Sequence, residues 1–226
     1  MTVTGLRTPA PGGSAAPAAP RLRWPGLRMT WLFLASRRVP ATLAALALLG
    51  LAMGAALYWH WTLGSRGAAA QAVPVLIEAG AAAVIAISTY SPMGEPERAT
   101  GRWLPWLRLA AAAGLTGVAV GALAAGAASA APAGLAGGSL DLLRNVAGLA
   151  GLGLLAAAVT GGLLAWVGPL GYVMLAEIGL VAGWGSPLLW PGRPSHDLGG
   201  ALCAGLVFAA GLLVTTVRGA RDPVHE

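Results

Sequence analysis

The chain has 226 residues, of which 57% are hydrophobic and only 10% are charged, and its mean hydropathy is +0.72. This balance excludes an ordinary water-soluble domain, because several apolar runs approach the roughly 20 residues that a helix needs to cross a bilayer. The formal charge of +6 comes from fourteen arginines and no lysine; these arginines flank the apolar runs, so membrane topology explains them better than nucleic-acid binding does. We therefore predict an all-α, polytopic integral membrane protein.

The first 38 residues precede any apolar run. Residues 1–20 consist mostly of Ala, Pro, Gly, Ser and Thr, a composition that predicts a disordered tail. In residues 21–38, arginines alternate with aromatic and aliphatic side chains such as Trp24 and Trp31. This mixture predicts an amphipathic interfacial helix on the inner membrane surface, in contact with lipid headgroups. A disordered basic flank that only sets the orientation of the chain is the alternative.

Six apolar runs follow, and each is predicted to be a transmembrane helix. The spans are predicted at residues 39–59, 71–90, 107–130, 140–167, 170–183 and 198–217, which together make a transmembrane domain of residues 39–217. The Gly168-Pro169 pair is predicted to break the chain between the fourth and fifth spans, because proline interrupts helical hydrogen bonding. A single bent helix at this point is the alternative, and it would leave five spans.

The residues around the last span also carry local signals. Residues 183–197 are rich in Trp, Pro and Gly, and we expect them to dip into the outer interface of the membrane. Ser195 or Asp197 is expected to cap the helix that follows. Residues 218–226 form a short tail.

The arginines orient the predicted spans. Eleven of them fall on one face: Arg7, Arg21, Arg23, Arg28, Arg37, Arg38, Arg98, Arg102, Arg108, Arg218 and Arg221. Only Arg66, Arg144 and Arg193 fall on the other. Because cytoplasmic loops carry the excess of positive charge, both termini are predicted to be cytoplasmic, in a multi-pass protein of the plasma membrane. Five spans would turn the C-terminal arginines outwards, so we prefer six.

One long charged segment interrupts the apolar blocks, at Ser91–Leu109 between the second and third spans. Glu95, Glu97, Arg98 and Arg102 lie within it, together with interfacial tryptophans at its end. This composition predicts a short amphipathic segment at the membrane surface. A plain solvated loop is the alternative.

Four ionisable side chains fall in or near the predicted hydrocarbon: Glu78, Asp141, Arg144 and Glu177. A buried carboxylate is costly without a partner, so we expect Arg144 to pair with Glu78 or Glu177 at a polar point in a substrate path. The alternative is a structural ion pair, between helices or between Asp141 and Arg144 one turn apart.

Glycines recur at spacings that allow close helix packing, and with it dimer formation. They are Gly50, Gly54, Gly114, Gly117, Gly121, Gly148, Gly151, Gly153, Gly161 and Gly162.

Motifs for catalysis are absent from the sequence. Without lysine there is no phosphate-binding loop of the Walker type, and the three histidines are too scattered to predict a metal site. The single cysteine, Cys203, excludes an intrachain disulfide and a thiolate cluster. We predict no catalytic residue, no metal and no cofactor.

The order of segments resembles the membrane-spanning subunits of ABC-2-type exporters, particularly small actinobacterial permease-like proteins. The resemblance is carried by the basic segment at 21–38, the charged segment at 92–106, six spans with both ends inside, and the stretch at 184–194. It implies a non-catalytic permease, present as a homodimer or a heterodimer with a related chain, because six spans supply only half of a pathway. It also implies that Glu95, Glu97, Arg98 and Arg102 contact a separate ATP-binding cassette subunit. A membrane scaffold without a transport pathway is the main alternative, and a membrane-embedded enzyme is a further one.

Overall fold

The computed structural model describes residues 39–63, 68–89, 104–130, 138–194 and 196–218. These residues form six α-helices and no strand. The helices are α1 (Val39–Leu63), α2 (Ala68–Ser88), α3 (Leu104–Ala130), α4 (Gly138–Thr160), α5 (Val167–Val181) and α6 (Leu198–Arg218). The predicted tail at 1–20, the interfacial helix at 21–38, most of the charged segment and the tail beyond Arg218 lie outside the described residues.

The helices have the lengths and apolarity of a multi-pass membrane protein, as the sequence predicted. Within the described residues, five apolar stretches are long enough to cross a membrane: 39–59, 105–130, 138–160, 162–181 and 198–218. The remaining apolar stretch, Ala72–Ser88 in α2, is shorter. The all-helical, membrane-spanning class is therefore confirmed in its main feature.

The boundary between α4 and α5 differs from the prediction. The break lies at Gly161, which adopts a positive φ of 88° that favours glycine, and a 3₁₀ turn at Gly162–Leu164 follows it. Pro169 does not interrupt a helix here but belongs to the first turn of α5, where its missing N–H would have no helical partner. The prediction of a break at Gly168-Pro169 was therefore wrong by one to two turns.

Helix α2 lies in the interior of the bundle, next to α4. It packs against α1, α3, α4 and α5. Seven of the ten residues at 79–88 are buried, and five of these seven are alanines: Ala79, Ala81, Ala82, Ala83 and Ala86. Small side chains on a helix allow neighbouring backbones to approach closely, so α2 can touch four helices at once.

Glycines allow two other helix pairs to make backbone contact. A Cβ atom built on Gly126 of α3 would overlap the carbonyl oxygen of Gly50 in α1. A Cβ atom on Gly211 of α6 would lie 2.5 Å from the carbonyl oxygen of Gly151 in α4. The prediction that Gly50 and Gly151 permit close packing is confirmed, and Gly54, Gly148 and Gly153 also have close neighbours on other segments.

Another group of glycines has no packing role within the described chain. Gly114, Gly117 and Gly121 lie along α3, and a Cβ atom on any of them would meet nothing within 4 Å in the described part of the chain. Among the described residues these three glycines therefore make no close helix contact, and their role in dimer formation stays a prediction.

Candidate functional site

Polar side chains gather at one end of the bundle. The starts of α2, α4 and α6 and the end of α5 meet there, and residues 182–197 connect α5 to α6 across the same end. We call residues 182–197 the cap segment. Three of the four predicted intramembrane residues, Glu78, Asp141 and Arg144, form a cluster at this end, and Glu177 lines a cavity beside it.

Arg144 joins α4 to the cap segment. Its Nη1 donates a hydrogen bond to the carbonyl oxygen of Pro194 and its Nη2 to that of Arg193, both at 2.9 Å. The side chain is buried, and its Nη2 also lies 3.1 Å from Oδ1 of Asp141. The planar guanidinium suits this arrangement, because it holds several donors in a fixed fork.

The ion pair that Arg144 forms is therefore the alternative predicted above, a pair with Asp141 one turn away. In the described residues Arg144 pairs with Asp141, three residues earlier on the same helix, and not with Glu78 or Glu177. The expectation of a pair between helices was wrong because a partner at i−3 lies on the same helix face and needs no additional ordering of the chain. Other N–H donors of the guanidinium are then available to bind carbonyl oxygens of the cap segment.

A buried tryptophan anchors the cap segment. Trp190 is 1% exposed and stacks on Tyr172 of α5, with ring centroids 4.4 Å apart. The ring fits against Gly148 of α4, where a Cβ atom would come within 2.8 Å of the indole. Tyr172 donates its hydroxyl hydrogen bond to the carbonyl oxygen of Leu188. The predicted interfacial stretch is therefore divided, since Trp184 and Leu188 are exposed while Trp190 is in the core.

A second arginine holds the cap segment to the start of α6. Nε of Arg193 lies 3.5 Å from Oδ2 of Asp197, and the same guanidinium donates to the carbonyl oxygen of Gly185. Asp197 Oδ2 also accepts a hydrogen bond of 3.3 Å from the N–H of Gly200. The prediction that Asp197 caps the last helix is confirmed, and a carboxylate at this position also favours the positive end of the helix dipole.

Glu78 lacks a complete set of partners. The side chain is 6% exposed, it interacts with Asn145, and the charges of Asp141 and Arg144 act on it. Its Oε2 is fully buried and has no hydrogen-bond partner among the described residues. A carboxylate in this position needs a neutralising charge or a proton, because an uncompensated buried charge is strongly unfavourable.

A cavity of about 320 Å³ lies between α2, α5 and the cap segment. Among its described lining residues Glu177 is the only charged one, and the others are Ala72, Val75, Val173, Ala176, Leu180, Val181, Pro191 and Gly192. Its volume is at the lower end of the range for small-molecule sites. Glu177 has no ion pair or hydrogen bond to any other described residue.

Sequence reasoning located the charged residues of this end but missed what holds them. The carbonyl groups that bind Arg144 are 49 and 50 residues away along the chain, and backbone groups leave no sequence signal. The sequence indicated that Gly148 is a small residue at a helix-packing spacing, but it did not indicate that the ring of Trp190 packs against it. The predicted coupling residues, Glu95, Glu97, Arg98 and Arg102, lie outside the described residues.

Neither a metal site nor a known relative identifies this arrangement. In the described part of the chain, no three His, Cys, Asp or Glu side chains are grouped closely enough to hold a metal ion. No protein-family profile, curated protein or solved structure matches the chain.

Proposed function

We propose that the chain is the membrane-spanning permease subunit of an ABC-type exporter, with six transmembrane helices and both termini in the cytoplasm of a plasma-membrane protein. A separate ATP-binding cassette subunit would hydrolyse ATP and contact the charged segment at 91–107. Two copies, or one copy with a related permease, would complete the pathway. The chain itself would carry no catalytic residue.

The interior position of α2 is the observation that carries this proposal. The charged segment begins just after α2 ends at Ser88, and it leads into α3 at Leu104. The end of α2 at Ser88 is the one opposite the polar cluster, because the start of α2 lies beside the cap segment. A partner that moves the charged segment would therefore act directly on the helix that touches α1, α3, α4 and α5.

The distances along α2 fit this role. Glu78 lies ten residues before Ser88, which corresponds to about 15 Å at the rise of an α-helix. A packed helix transmits a displacement along its axis because its hydrogen-bonded backbone resists compression. A movement applied at the charged segment would thus reach Glu78 and the cavity without passing through a loop.

Co-purification tests the proposal. The chain would be co-expressed with the ATP-binding cassette protein encoded nearest to its gene, and the fraction of that protein retained on the tagged chain would be measured. We expect the triple reversal Glu95→Arg, Glu97→Arg and Arg98→Glu to abolish retention. The matched control is a reversal of Arg221 and Asp222 in the C-terminal tail, which should leave retention unchanged.

The same proteins also distinguish the permease function from the scaffold function. A permease would also raise the ATPase rate of its partner in lipid nanodiscs, and the triple reversal would remove that increase. Equal retention by the native and reversed chains would refute contact through the segment. If the chain purifies alone and with an unchanged melting temperature after the reversals, the coupling role is wrong and the scaffold assignment replaces it.

A further inference from the structure

We propose that the cavity lined by Glu177 binds an organic cation with an apolar body, such as a quaternary ammonium compound. The inference concerns binding by this chain alone, so it stands or falls separately from the permease assignment. It rests on the balance of charge around the cavity, on the lining and on the rigidity of its roof.

The charges at this end of the bundle do not balance. Among the described residues there, the four carboxylates are Glu78, Asp141, Glu177 and Asp197, and the two guanidiniums are Arg144 and Arg193. Each arginine already has an aspartate partner. Glu177, on α5, therefore carries a charge that has no described counter-ion.

The position of Glu177 directs this unbalanced charge to the cavity. Glu177 is itself part of the lining, next to Ala176 and one turn from Val173 and Leu180. A cation in the cavity would meet the Glu177 carboxylate directly, in surroundings where screening by water is weak.

The other lining residues determine which chemical class of cation fits the cavity. Apart from Glu177, the lining residues that the structure describes are aliphatic side chains, a proline and a glycine, which offer no side-chain donors or acceptors to a hydrated inorganic ion. An organic cation carries its own apolar surface and loses little hydration in such a site. A volume of about 320 Å³ suits one such molecule.

The cap segment makes the cavity a preformed site. Pro191 and Gly192 form its roof and belong to the 3₁₀ turn that begins at the buried Trp190. Arg144 fixes the next two residues through their carbonyl groups. A roof held on both sides costs little ordering entropy when a ligand binds.

Equilibrium dialysis of the purified full-length chain in lipid nanodiscs tests the proposal. The probe is radiolabelled benzyltrimethylammonium, and its neutral isostere neopentylbenzene measures the contribution of shape without charge. After the uptake of each probe by protein-free nanodiscs is subtracted, we expect the cation to bind at least about tenfold more tightly than the isostere, which corresponds to roughly 1.4 kcal/mol. Glu177→Gln should remove that preference, whereas Leu175→Ala, on an exposed position of the same helix, should retain it.

A second variant keeps the test valid if Glu177→Gln fails to fold. Ala72→Leu fills the cavity without changing any charge, so it should weaken binding of the cation and the isostere alike. The cation should also raise the melting temperature of the native chain, since a ligand that binds only the folded state stabilises it. Equal binding of the two probes to the native chain, or unchanged cation binding by Glu177→Gln, would overturn the proposal and leave an apolar cavity filled by lipid chains.

Discussion

The contact between α1 and α3 allows a sharp test of the packing. Gly126→Ala places a Cβ atom in steric overlap with the carbonyl oxygen of Gly50, well inside the 3.0 Å below which Cβ atoms essentially never approach another atom. The two helices must therefore separate, because a carbonyl group of the helix backbone cannot rotate away. Overpacking of this kind costs up to about 3 kcal/mol.

The same substitution at Gly117 is the matched control. Gly117 lies on the same helix, and a Cβ atom there meets nothing within 4 Å in the described chain. Alanine is favoured over glycine in a helix by up to about 1 kcal/mol, so both variants gain this amount. The net effect is a loss of about 2 kcal/mol for Gly126→Ala and a gain of at most about 1 kcal/mol for Gly117→Ala.

Melting temperatures of the detergent-purified chain measure the difference. At roughly 2–4 °C per kcal/mol for a chain of this size, Gly126→Ala should melt about 4–8 °C below the native protein. Gly117→Ala should melt at or slightly above the native temperature. The fraction of chain that stays monodisperse on size-exclusion chromatography after heating gives the readout. If the two variants melt together, α1 and α3 do not make the backbone contact described above.

Three further predictions concern the cap segment and the topology. Arg144→Met should lower the free energy of unfolding by about 3–5 kcal/mol and expose the cap segment to protease, because it leaves Asp141 and two carbonyl groups unpaired. Arg144→Lys should restore little of this stability, since an ammonium cannot supply the same fork of donors. Resistance of Arg144→Met to protease at the native level would contradict this prediction. Trp190→Ala should lower the free energy of unfolding, measured by thermal denaturation, by about 3–5 kcal/mol. Trp184→Ala is the control, and it should change stability little because Trp184 is 61% exposed. Equal losses of stability in the two variants would refute the anchoring role of Trp190. A Thr100→Cys chain without its native cysteine should react with a membrane-impermeant maleimide only from the cytoplasmic side, and labelling only from outside would reverse the proposed topology.

Local patterns predicted much of this fold. Apolar runs of the right length identified the helices, and Asp197 was recognisable as a cap because an aspartate precedes a long apolar run. The spacing of Asp141 and Arg144 also allowed the ion pair that forms, although we expected a partner on another helix. These features depend on residues within one or two helical turns of each other.

Features that depend on distant residues were not predictable from the sequence. Glycine and alanine are so frequent that periodicity does not distinguish Gly126, which touches α1, from Gly117, which touches nothing described. The predicted break at Gly168-Pro169 lies after the actual break at Gly161. Gly161 ends the helix because it adopts a positive φ, whereas proline is tolerated in the first turn of the next helix. Burial of Trp190 depends on the room left by Gly148, and nothing in the neighbouring residues indicates that match.

The glycine contacts also divide the bundle mechanically. Backbone touches backbone between α1 and α3 and again between α4 and α6, so each of these pairs should behave as one stiff block. Helix α2 packs against α1 and α3 of one block and against α4 of the other, and five of its buried side chains are alanines. We therefore expect any switching of this protein to occur as a sliding of the two blocks relative to α2, with the helix pairs themselves unchanged.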